Sequence, residues 1–509
     1  MKRLLSVSIA LVVVMALVAP VFAGEPDPGV GNVNFTVMNL HETENATVQA
    51  QYISSGEGAG GAAGTVDATI PVTIDPRSSN GFPINDSGLP DNWAGSAVVS
   101  SDRPVAAFAQ MMWQNDGLAT SEARWKTAGA YNGFTEGAGK LFLPSLAQRT
   151  DKQFSRIAIQ SADAPSTSET VDFTITFYDR DGNVSDTHDD SVNKGAQVTY
   201  DLSDTGDFDL DPAATNNWLG SAVIEADNPG DLLAASATMH WQNYSAAYSA
   251  VTGGGTEVSL PSFTRRMPGG EGTAWYQFTS VVVQNLDDTD DADVTVYWYD
   301  RDGTLLHDFE DTIPANSAHG YNTRYVDTSQ IPSTEAAFAA DVGYDANGSV
   351  VIESDGAEIV AVANLQWTND HPSGAAASAY TSFADGTGTV FVPQSFRRMS
   401  GSWLQFSGLI VQNIGDSACN NFSVSWVDRA TGTEKISFTD SLNPGIAHGY
   451  NTKQGASGSD IPAGVDVTDL GDDYRGTVTI IGTGCELAAI HNTVWPAWTD
   501  NTTYNAFGQ

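Results

Sequence analysis

The feature that most constrains the fold of this chain is an internal repeat of about 126 residues. The motifs "MMWQND", "MHWQNY", "LQWTND" and "NTVWPA" place Trp113, Trp241, Trp367 and Trp495 at intervals of 126 to 128 residues. The pairs "VVVQN" and "IVQN", and "LPSFTRRM" and "VPQSFRRM", keep nearly the same spacing. A period of this length is that of a whole domain, so the sequence predicts a tandem array of similar domains.

Within each repeat, apolar and polar residues alternate as they do in β-strands. Val171–Val184 and Ala292–Phe309 each contain a strand rich in β-branched and aromatic residues, then Asp-Arg-Asp-Gly, then a second extended run. Asp-Gly between two such runs predicts a hairpin, because both residues accept the positive φ of a tight turn. We therefore expect an all-β chain of four tandem antiparallel β-sandwich domains of immunoglobulin-like size.

The motifs also predict the domain boundaries, and one end of the array is irregular. Short glycine-rich links such as Thr135–Ser145 predict tight junctions and a semi-rigid rod. The first repeat starts directly at "VNFTVMNL" and lacks the "LPS"-type strand of the other three, which leaves a strand edge open to another chain or simply capped. The predicted segments are a signal peptide at 1–23 and β-sandwich repeats at 24–133, 134–252, 253–382 and 383–509.

The N-terminus has the pattern of a secretory signal peptide. Lys2 and Arg3 precede a short apolar run, and Val21–Ala23 supplies small residues at a cleavage site. Removal of this leader predicts an extracellular or cell-surface protein. No later stretch is apolar enough to predict a transmembrane segment.

The charge restricts the partners. With 62 Asp and Glu against 22 Lys and Arg, the formal net charge is −40. Binding to nucleic acid or anionic lipid requires cationic side chains that neutralise phosphates, so neither is an expected partner. We expect self-association into a homopolymer, or binding to other surface proteins or to a glycan.

The two cysteines, Cys419 and Cys485, both lie in the last repeat. In an exported chain such a pair predicts a disulfide, with two free thiols or a metal site as the alternatives. On the repeat alignment they replace Asp291 and Ala357, so only the terminal repeat would carry this cross-link.

The motif "HGYNT" occurs at His319–Thr323 and at His448–Thr452, in phase with the repeat. The corresponding segment Ala196–Asp201 keeps the tyrosine and has no histidine. This favours a structural corner over a catalytic base. Because the common nucleophile, zinc-protease and phosphate-loop motifs are also absent, we predict no catalytic residues and no enzyme, although a carboxylate pair of a carbohydrate-active enzyme has no sequence signature.

Two features could bind ligands. Acidic loops can supply the six to eight oxygens that calcium takes, so calcium is the one cofactor suggested, with solvated metal-free loops as the alternative. Ten of the twelve tryptophans recur in repeat-matched sets, which is typical of core packing, whereas Trp125 lies in a predicted loop that is longer than in the other repeats and is a candidate ligand contact or a loop anchor. The calcium candidates are Asp287, Asp288, Asp290, Asp291 and Asp293, followed by Asp204, Asp207 and Asp209.

A leader, tandem sandwich repeats with "YDxDG" hairpins, "GSAVV" strands and an acidic surface resemble bacterial surface and stalk proteins built of immunoglobulin-like repeats. That resemblance implies a spacer, an adhesin or a subunit of a surface layer or filament. Our leading hypothesis is an exported structural protein that assembles into a surface layer, sheath or filament. The alternatives are an adhesin that binds glycans or other cells, and a carbohydrate-active enzyme.

Overall fold

The computed structural model describes residues 9–13, 30–114, 125–149, 153–203, 208–211, 217–241, 244–371, 375–400, 404–455, 459–495 and 500–509. The chain is nearly all β, with 61% of its residues in strands and 4% in helices, and its antiparallel sheets form sandwich-like units. This confirms the predicted fold class. We refer below to four repeats, each defined by its strands.

Repeat 2 shows the basic arrangement. Its strands follow the order β12-β11-β14-β9-β10-β15-β16, with β13 paired to β10. The first strand, β9, pairs with β14 along most of its length and with β10 at its end, so it links the two layers of the sandwich. The strands are β9 Lys140–Arg149, β10 Gln153–Ser161, β11 Thr170–Asp179, β12 Val184–Asn193, β13 Gln197–Asp201, β14 Trp218–Ala226, β15 Leu233–Trp241 and β16 Tyr244–Ser249.

Repeats 3 and 4 have the same strand order as repeat 2. Repeat 4 adds a short last strand, β33, which pairs with its first strand. Repeat 3 consists of β17 Glu257–Arg266, β18 Gln277–Asn285, β19 Ala292–Asp300, β20 Leu305–Ile313, β21 Ala318–Asn322, helix α1 Glu335–Val342, β22 Asp345–Ser354, β23 Ile359–Trp367 and β24 Ala376–Thr381. Repeat 4 consists of β25 Thr389–Arg398, β26 Gln405–Asn413, β27 Cys419–Asp428, β28 Glu434–Leu442, β29 Ala447–Asn451, β30 Asp473–Ile481, β31 Leu487–Trp495, β32 Asp500–Asn505 and β33 Phe507–Gly508.

Repeat 1 differs because its two layers are separate sheets, ordered β1-β6-β3-β4 and β5-β2-β7-β8. Short 3-10 turns also occur at Ile84–Asp86, Val326–Thr328 and Val467–Leu470. The strands of repeat 1 are β1 Ile9–Val13, β2 Val30–Asn39, β3 Ala46–Gly58, β4 Val66–Ile74, β5 Ser79–Pro83, β6 Trp93–Ser101, β7 Val105–Gln114 and β8 Trp125–Asn132.

Helix α1 illustrates how local sequence and packing agree. The side chain of Thr334 accepts a hydrogen bond from the Ala337 backbone N–H, which caps the first turn, and the helix ends at Gly343 with a φ of 84°. Its buried face, which includes Phe338, packs edge-on against Trp298 of β19, with ring centroids 5.8 Å apart. Trp298 is fully buried, as the recurrence of tryptophan in the repeats predicts for core positions.

The "LPS"-type strands contain a proline that interrupts their pairing. Pro144 lies in β9, and the register with β14 shifts between Gly220 and Ala222, opposite this proline. A proline has no N–H to donate to a neighbouring strand, so the interruption follows from the sequence. Ser221 lies at this interruption, and its hydroxyl donates to the backbone carbonyl of Asn316 in repeat 3 at 2.9 Å.

This contact occurs at four places, once between each pair of neighbouring repeats, and joins the repeats in a closed ring. In each case a hydroxyl donates to the carbonyl of a residue with positive φ in the next repeat, and the last contact returns from repeat 4 to repeat 1. The strands β8, β16, β24 and β32 face one another at the centre, each touching its neighbours on both sides. The four contacts are Ser96 to Gly195 at 2.7 Å, Ser221 to Asn316 at 2.9 Å, Ser349 to Gly445 at 3.3 Å, and Thr477 to Arg77 at 2.6 Å.

This arrangement shows that the rod expected from the short links is wrong. The reason lies in the central strands β8, β16, β24 and β32. Where these strands face one another they carry small residues, which allow two strands to approach closely. A Cβ added to Gly129 of β8, for example, would lie 2.8 Å from the Cβ of Ala247 in β16. Phe108 of repeat 1 also stacks on Tyr504 of repeat 4, with centroids 4.1 Å apart. The ends of the array therefore bury surface against each other instead of pointing apart.

Two further findings bear on the predictions. Cys419 and Cys485 form a disulfide, with Cα atoms 5.0 Å apart, which confirms the predicted pairing. In the part of the chain that the structure describes, no helix is long and apolar enough to cross a membrane.

Candidate functional sites

The predicted calcium loop lies between β18 and β19, and its carboxylates point to different partners. Asp287 accepts hydrogen bonds from the Thr289 and Asp290 backbone N–H groups at 2.8 and 2.9 Å, and these hold the pKa of its carboxyl below the usual range. Asp288 pairs with Lys140 of repeat 2 at 2.5 Å. Asp293 accepts from the Thr312 hydroxyl at 2.7 Å.

Asp290 and Asp291 of this loop are exposed. Across the described residues, no three His, Cys, Asp or Glu side chains form a group that could hold a metal ion. The structure therefore does not bring these carboxylates together, and calcium binding here stays a prediction.

The remaining predicted contacts are only partly described. Asp204 and Asp207 lie outside the described residues, and Asp209 is exposed. Trp125 is the first residue of β8, where its backbone is paired with Gln114, so it stands at the start of a strand rather than within a loop. Its side chain lies outside the described part of the chain, and its role as a ligand contact stays a prediction.

Both "HGYNT" motifs form the same polar corner. His448 Nδ1 lies 2.7 Å from Asp440 Oδ2, and the Tyr450 hydroxyl donates to the same oxygen at 2.8 Å. The hydrogen bond to Asp440 raises the pKa of His448, against the opposing effect of burial. Repeat 3 repeats the geometry with His319, Asp311 and Tyr321.

The corner also contacts the preceding repeat. His319 Nε2 lies 3.0 Å from the backbone carbonyl of Arg180, the arginine of the Asp-Arg-Asp-Gly turn in repeat 2. The guanidinium of Arg180 lies against Gly320, where an added Cβ would come within 2.5 Å of Nη2. Glycine at the centre of "HGYNT" therefore makes room for the neighbour's arginine, a role in joining repeats that agrees with the structural interpretation.

One concave site is a cleft of about 940 Å³ between repeats 2 and 3, here called cleft 2/3. It combines three arginines, Arg149, Arg180 and Arg324, with aromatic side chains that include Trp241 and Tyr325. A related cleft of about 470 Å³ lies between repeats 3 and 4, here called cleft 3/4. Clefts of a few hundred to about 1,000 Å³ are typical of ligand sites.

Sequence analysis missed these clefts because their walls come from two different repeats. One signal was available in the alignment of the repeats. Asn217 stands where repeats 3 and 4 have Asp345 and Asp473, and Gln330 stands where repeat 4 has Asp460. Both changes replace a carboxylate by an amide, and both prove to lie beside an arginine of cleft 2/3.

The edge of repeat 1 is the second candidate site. Strand β1 pairs with β6 so that Leu11 and Val13 stand opposite Val99 and Ala97. In repeat 2, Leu141 and Leu143 of β9 stand at the same register positions, opposite Ile224 and Ala222 of β14. A segment of the predicted leader therefore takes the strand position that the "LPS"-type strands occupy in the other repeats.

No family model matches the chain, and no curated protein matches it. Among solved structures, the chain is similar to a Thermotoga maritima protein designated 1070, with 13% identity and a TM-score of 0.18 over 25% of this chain and 91% of that chain. It is also similar to the Anabaena sensory rhodopsin transducer, with 20% identity and a TM-score of 0.16 over 22% and 90% of the two chains. A Pleurotus ostreatus lectin in complex with GalNAc aligns at 10% identity and a TM-score of 0.12, over 48% and 85%.

Similarities with TM-scores this low carry no argument about fold or function. The class of the protein rests on its own structure: an all-β chain of antiparallel sheets in sandwich-like units.

Proposed function

We propose that this chain is an exported, non-enzymatic structural protein that assembles into a cell-surface layer, sheath or filament by strand addition at β6 of repeat 1. The observation that supports the proposal is the position of β1. It belongs to the predicted leader and stands where repeats 2 to 4 each have their own first strand. Cleavage after Ala23 removes β1 and leaves the N–H and C=O groups on one side of β6 unpaired. Such an edge is a template for a strand from another molecule.

The occupant that we propose is a strand from a second copy of the chain. The position calls for an extended segment with apolar residues at alternate places, ahead of a proline. The first strands of repeats 2 to 4 each contain such a segment: "LFLP" at 141–144, "VSLP" at 258–261 and "VFVP" at 390–393. Transfer of one of them to β6 of a second copy reuses contacts that the fold already makes and opens the same position in the donor's own repeat, which a third copy can fill, so the series of transfers is open-ended.

The test compares two forms of the protein. The first is the processed chain Gly24–Gln509. The second is a self-complemented variant in which a copy of residues 139–152 replaces residues 24–30, directly before Gly31, the residue that corresponds to Gln153 at the start of β10. Both are examined by sedimentation and by negative-stain electron microscopy over a concentration series, with and without calcium.

We expect the processed chain to form filaments or sheets, and the self-complemented variant to remain as single particles because its edge is filled from within. Calcium dependence of the assembly would point to the acidic loops. Single particles for both forms at every concentration would refute self-assembly, and assembly of both forms to the same extent would refute the role of β6. Capture by the processed chain of a different protein would show that the occupant is not a second copy.

The second candidate function is an adhesin that binds glycans or other cells. Cleft 2/3 favours it, because its size and its mixture of aromatic and cationic side chains are those of a ligand site. Specific ligand binding by single particles, in the absence of assembly, would support this function over the first.

A further inference from the structure

We propose that cleft 2/3 binds an organic oxyanion, a carboxylate, sulfate or phosphate group carried on a sugar or aromatic ring. The inference does not rest on assembly through β6. It comes from a comparison of this cleft with cleft 3/4, which is built from the same elements one repeat further along the chain.

The first observation is that the arginines of cleft 2/3 have amide partners. Arg149 Nε donates to Asn217 Oδ1 at 2.8 Å, and Arg180 Nη1 donates to Gln330 Oε1 at 2.7 Å. Among the described residues, none of the three arginines forms an ion pair with a carboxylate, and no Asp or Glu lines the cleft. No carboxylate of the described residues therefore neutralises their charges, in a chain with a formal net charge of −40.

The second observation is that the corresponding arginines at cleft 3/4 are neutralised. Arg266 Nε donates to Asp345 Oδ1 at 2.7 Å, and Arg301 Nη1 pairs with Asp460 Oδ2 at 3.2 Å. The arginines are placed alike, and only the partners differ. Both partners are amides at cleft 2/3 and carboxylates at cleft 3/4, and neutral amides leave the cations available to a ligand.

The electrostatics of cleft 2/3 agree with a ligand that is an anion. Burial, and then the positive charge of Arg149, lower the pKa of Arg180 to about 10. Burial also lowers the pKa of Arg149. Two partly buried guanidinium groups that repel each other are stabilised when an oxyanion lies between them, and guanidinium matches carboxylate, sulfate and phosphate oxygens in a bidentate geometry.

The third arginine and the aromatic residues are the reason to expect that the ligand's anionic group is attached to a sugar or aromatic ring. The guanidinium of Arg324 lies 4.9 Å from the centroid of Tyr325 and 5.1 Å from that of Phe278, so it is held over aromatic faces. Lys453 stands at the corresponding place in cleft 3/4. A lysine lacks the planar guanidinium group that binds two oxygens of an oxyanion at once. Tyr325 of repeat 3 is 50% exposed, and Trp241 of repeat 2 packs beside Tyr244, with ring centroids 5.3 Å apart; all three line the cleft and offer flat surfaces to a sugar or aromatic ring.

The test uses the self-complemented variant, so that binding is measured on single particles and its outcome is independent of assembly. Isothermal titration calorimetry at low salt compares three probes: trigalacturonate, a sulfated galactose trisaccharide and inorganic sulfate. The neutral galactose trisaccharide is the control ligand. We expect saturable binding of a ring-bearing anion at one site per chain, weakened by added salt.

The decisive protein variant is Asn217→Asp with Gln330→Asp, which installs the two carboxylates that repeats 3 and 4 already tolerate. It should weaken binding roughly tenfold to a hundredfold, the equivalent of one lost charge-assisted hydrogen bond. The matched control is Asp473→Asn, which changes the partner of Arg398 outside both clefts and should leave the affinity unchanged. Melting temperatures of all variants check that they fold alike.

Absence of binding for every charged probe, or equal affinity of the parent and the double variant, would overturn the site. Binding of the neutral trisaccharide as tight as that of trigalacturonate would overturn the role of the arginines. Equal affinity for inorganic sulfate and for the ring-bearing probes would overturn the role of the aromatic walls.

Discussion

The hydroxyl of Thr477 donates a hydrogen bond to the backbone carbonyl of Arg77, 2.6 Å away, and joins repeat 4 to repeat 1. The two residues are 400 positions apart in the sequence. Their contact is the fourth copy of a bond that also links repeats 1 and 2, 2 and 3, and 3 and 4. It is one of the contacts between repeats 1 and 4 that close the array of sandwiches into a ring.

The first prediction concerns this ring closure. Thr477→Val keeps the shape of the side chain but leaves the carbonyl of Arg77 without this donor, so the free energy of unfolding should fall by about 1 kcal/mol. Thr479→Val, two residues along the same strand, is the control, because its buried hydroxyl has no hydrogen-bond partner. Urea unfolding of both variants makes the comparison. Equal effects would show that the Thr477 bond contributes nothing to stability.

The second prediction concerns the buried arginine of repeat 3. Arg265 is fully buried, is paired with Glu335, and donates to the backbone carbonyls of Thr323 and Gly343. Arg265→Met removes these bonds and leaves the carbonyls unpaired, so the free energy of unfolding should fall by about 3 kcal/mol or more. Arg266→Met removes the neighbouring, partly exposed pair with Asp345 and should cost at most about 1 kcal/mol. The ranking of the two variants in thermal denaturation decides the matter, and the reverse order would contradict it.

The third prediction concerns the disulfide of repeat 4. The bond between Cys419 and Cys485 closes a loop across a sequence separation of 66 residues. Its chain-entropy contribution for a loop of this size is about 4 kcal/mol, and repeats 1 to 3 have no corresponding bond because no other cysteines exist. Under a reductant, or in the variant with Cys419→Asp and Cys485→Ala, hydrogen exchange should accelerate in β27 and β30 well before it does in β11 and β14 of repeat 2. Uniform acceleration across the chain would refute a local effect.

The fourth prediction concerns the pH dependence of stability. The hydrogen bond to Asp440 raises the pKa of His448 above its ordinary value of 6.5 in the folded protein. The folded chain therefore holds this proton more tightly than the unfolded chain does. The stabilisation is complete below pH 6.5 and is lost as the pH rises through the raised pKa.

The measurement for this prediction is the difference in melting temperature between the parent and His448→Asn, followed from pH 5.5 to pH 9. The difference should be largest at the acidic end and should shrink toward the alkaline end. His41→Asn, which changes a histidine on the surface of repeat 1, is the control. A difference for His448→Asn that is constant with pH would show that the contact contributes through its shape and not through its charge.

The sequence alone determined the class of the fold, because strand alternation and hairpin turns are local properties. Val294, Val296 and Trp298 alternate toward a buried face in the structure as they do in the sequence. The disulfide could also be predicted from the sequence, since the chain has only two cysteines and both lie in one repeat. The missing first strand of repeat 1 could be predicted from the period, although the pairing of β1 with β6 in its place could not.

Only the tertiary structure decided how the repeats lie together. Gly129 and Ala247 are unremarkable small residues in the sequence, and only the folded chain brings β8 and β16 face to face, where their small size permits the close approach of the two strands. The same holds for cleft 2/3. Asn217 and Gln330 carry an amide where their counterparts carry a carboxylate, and that difference matters only because folding brings them beside Arg149 and Arg180. Strand alternation and hairpin turns depend on a few neighbouring residues, whereas a ring and a cleft are built by pairs of residues from different repeats.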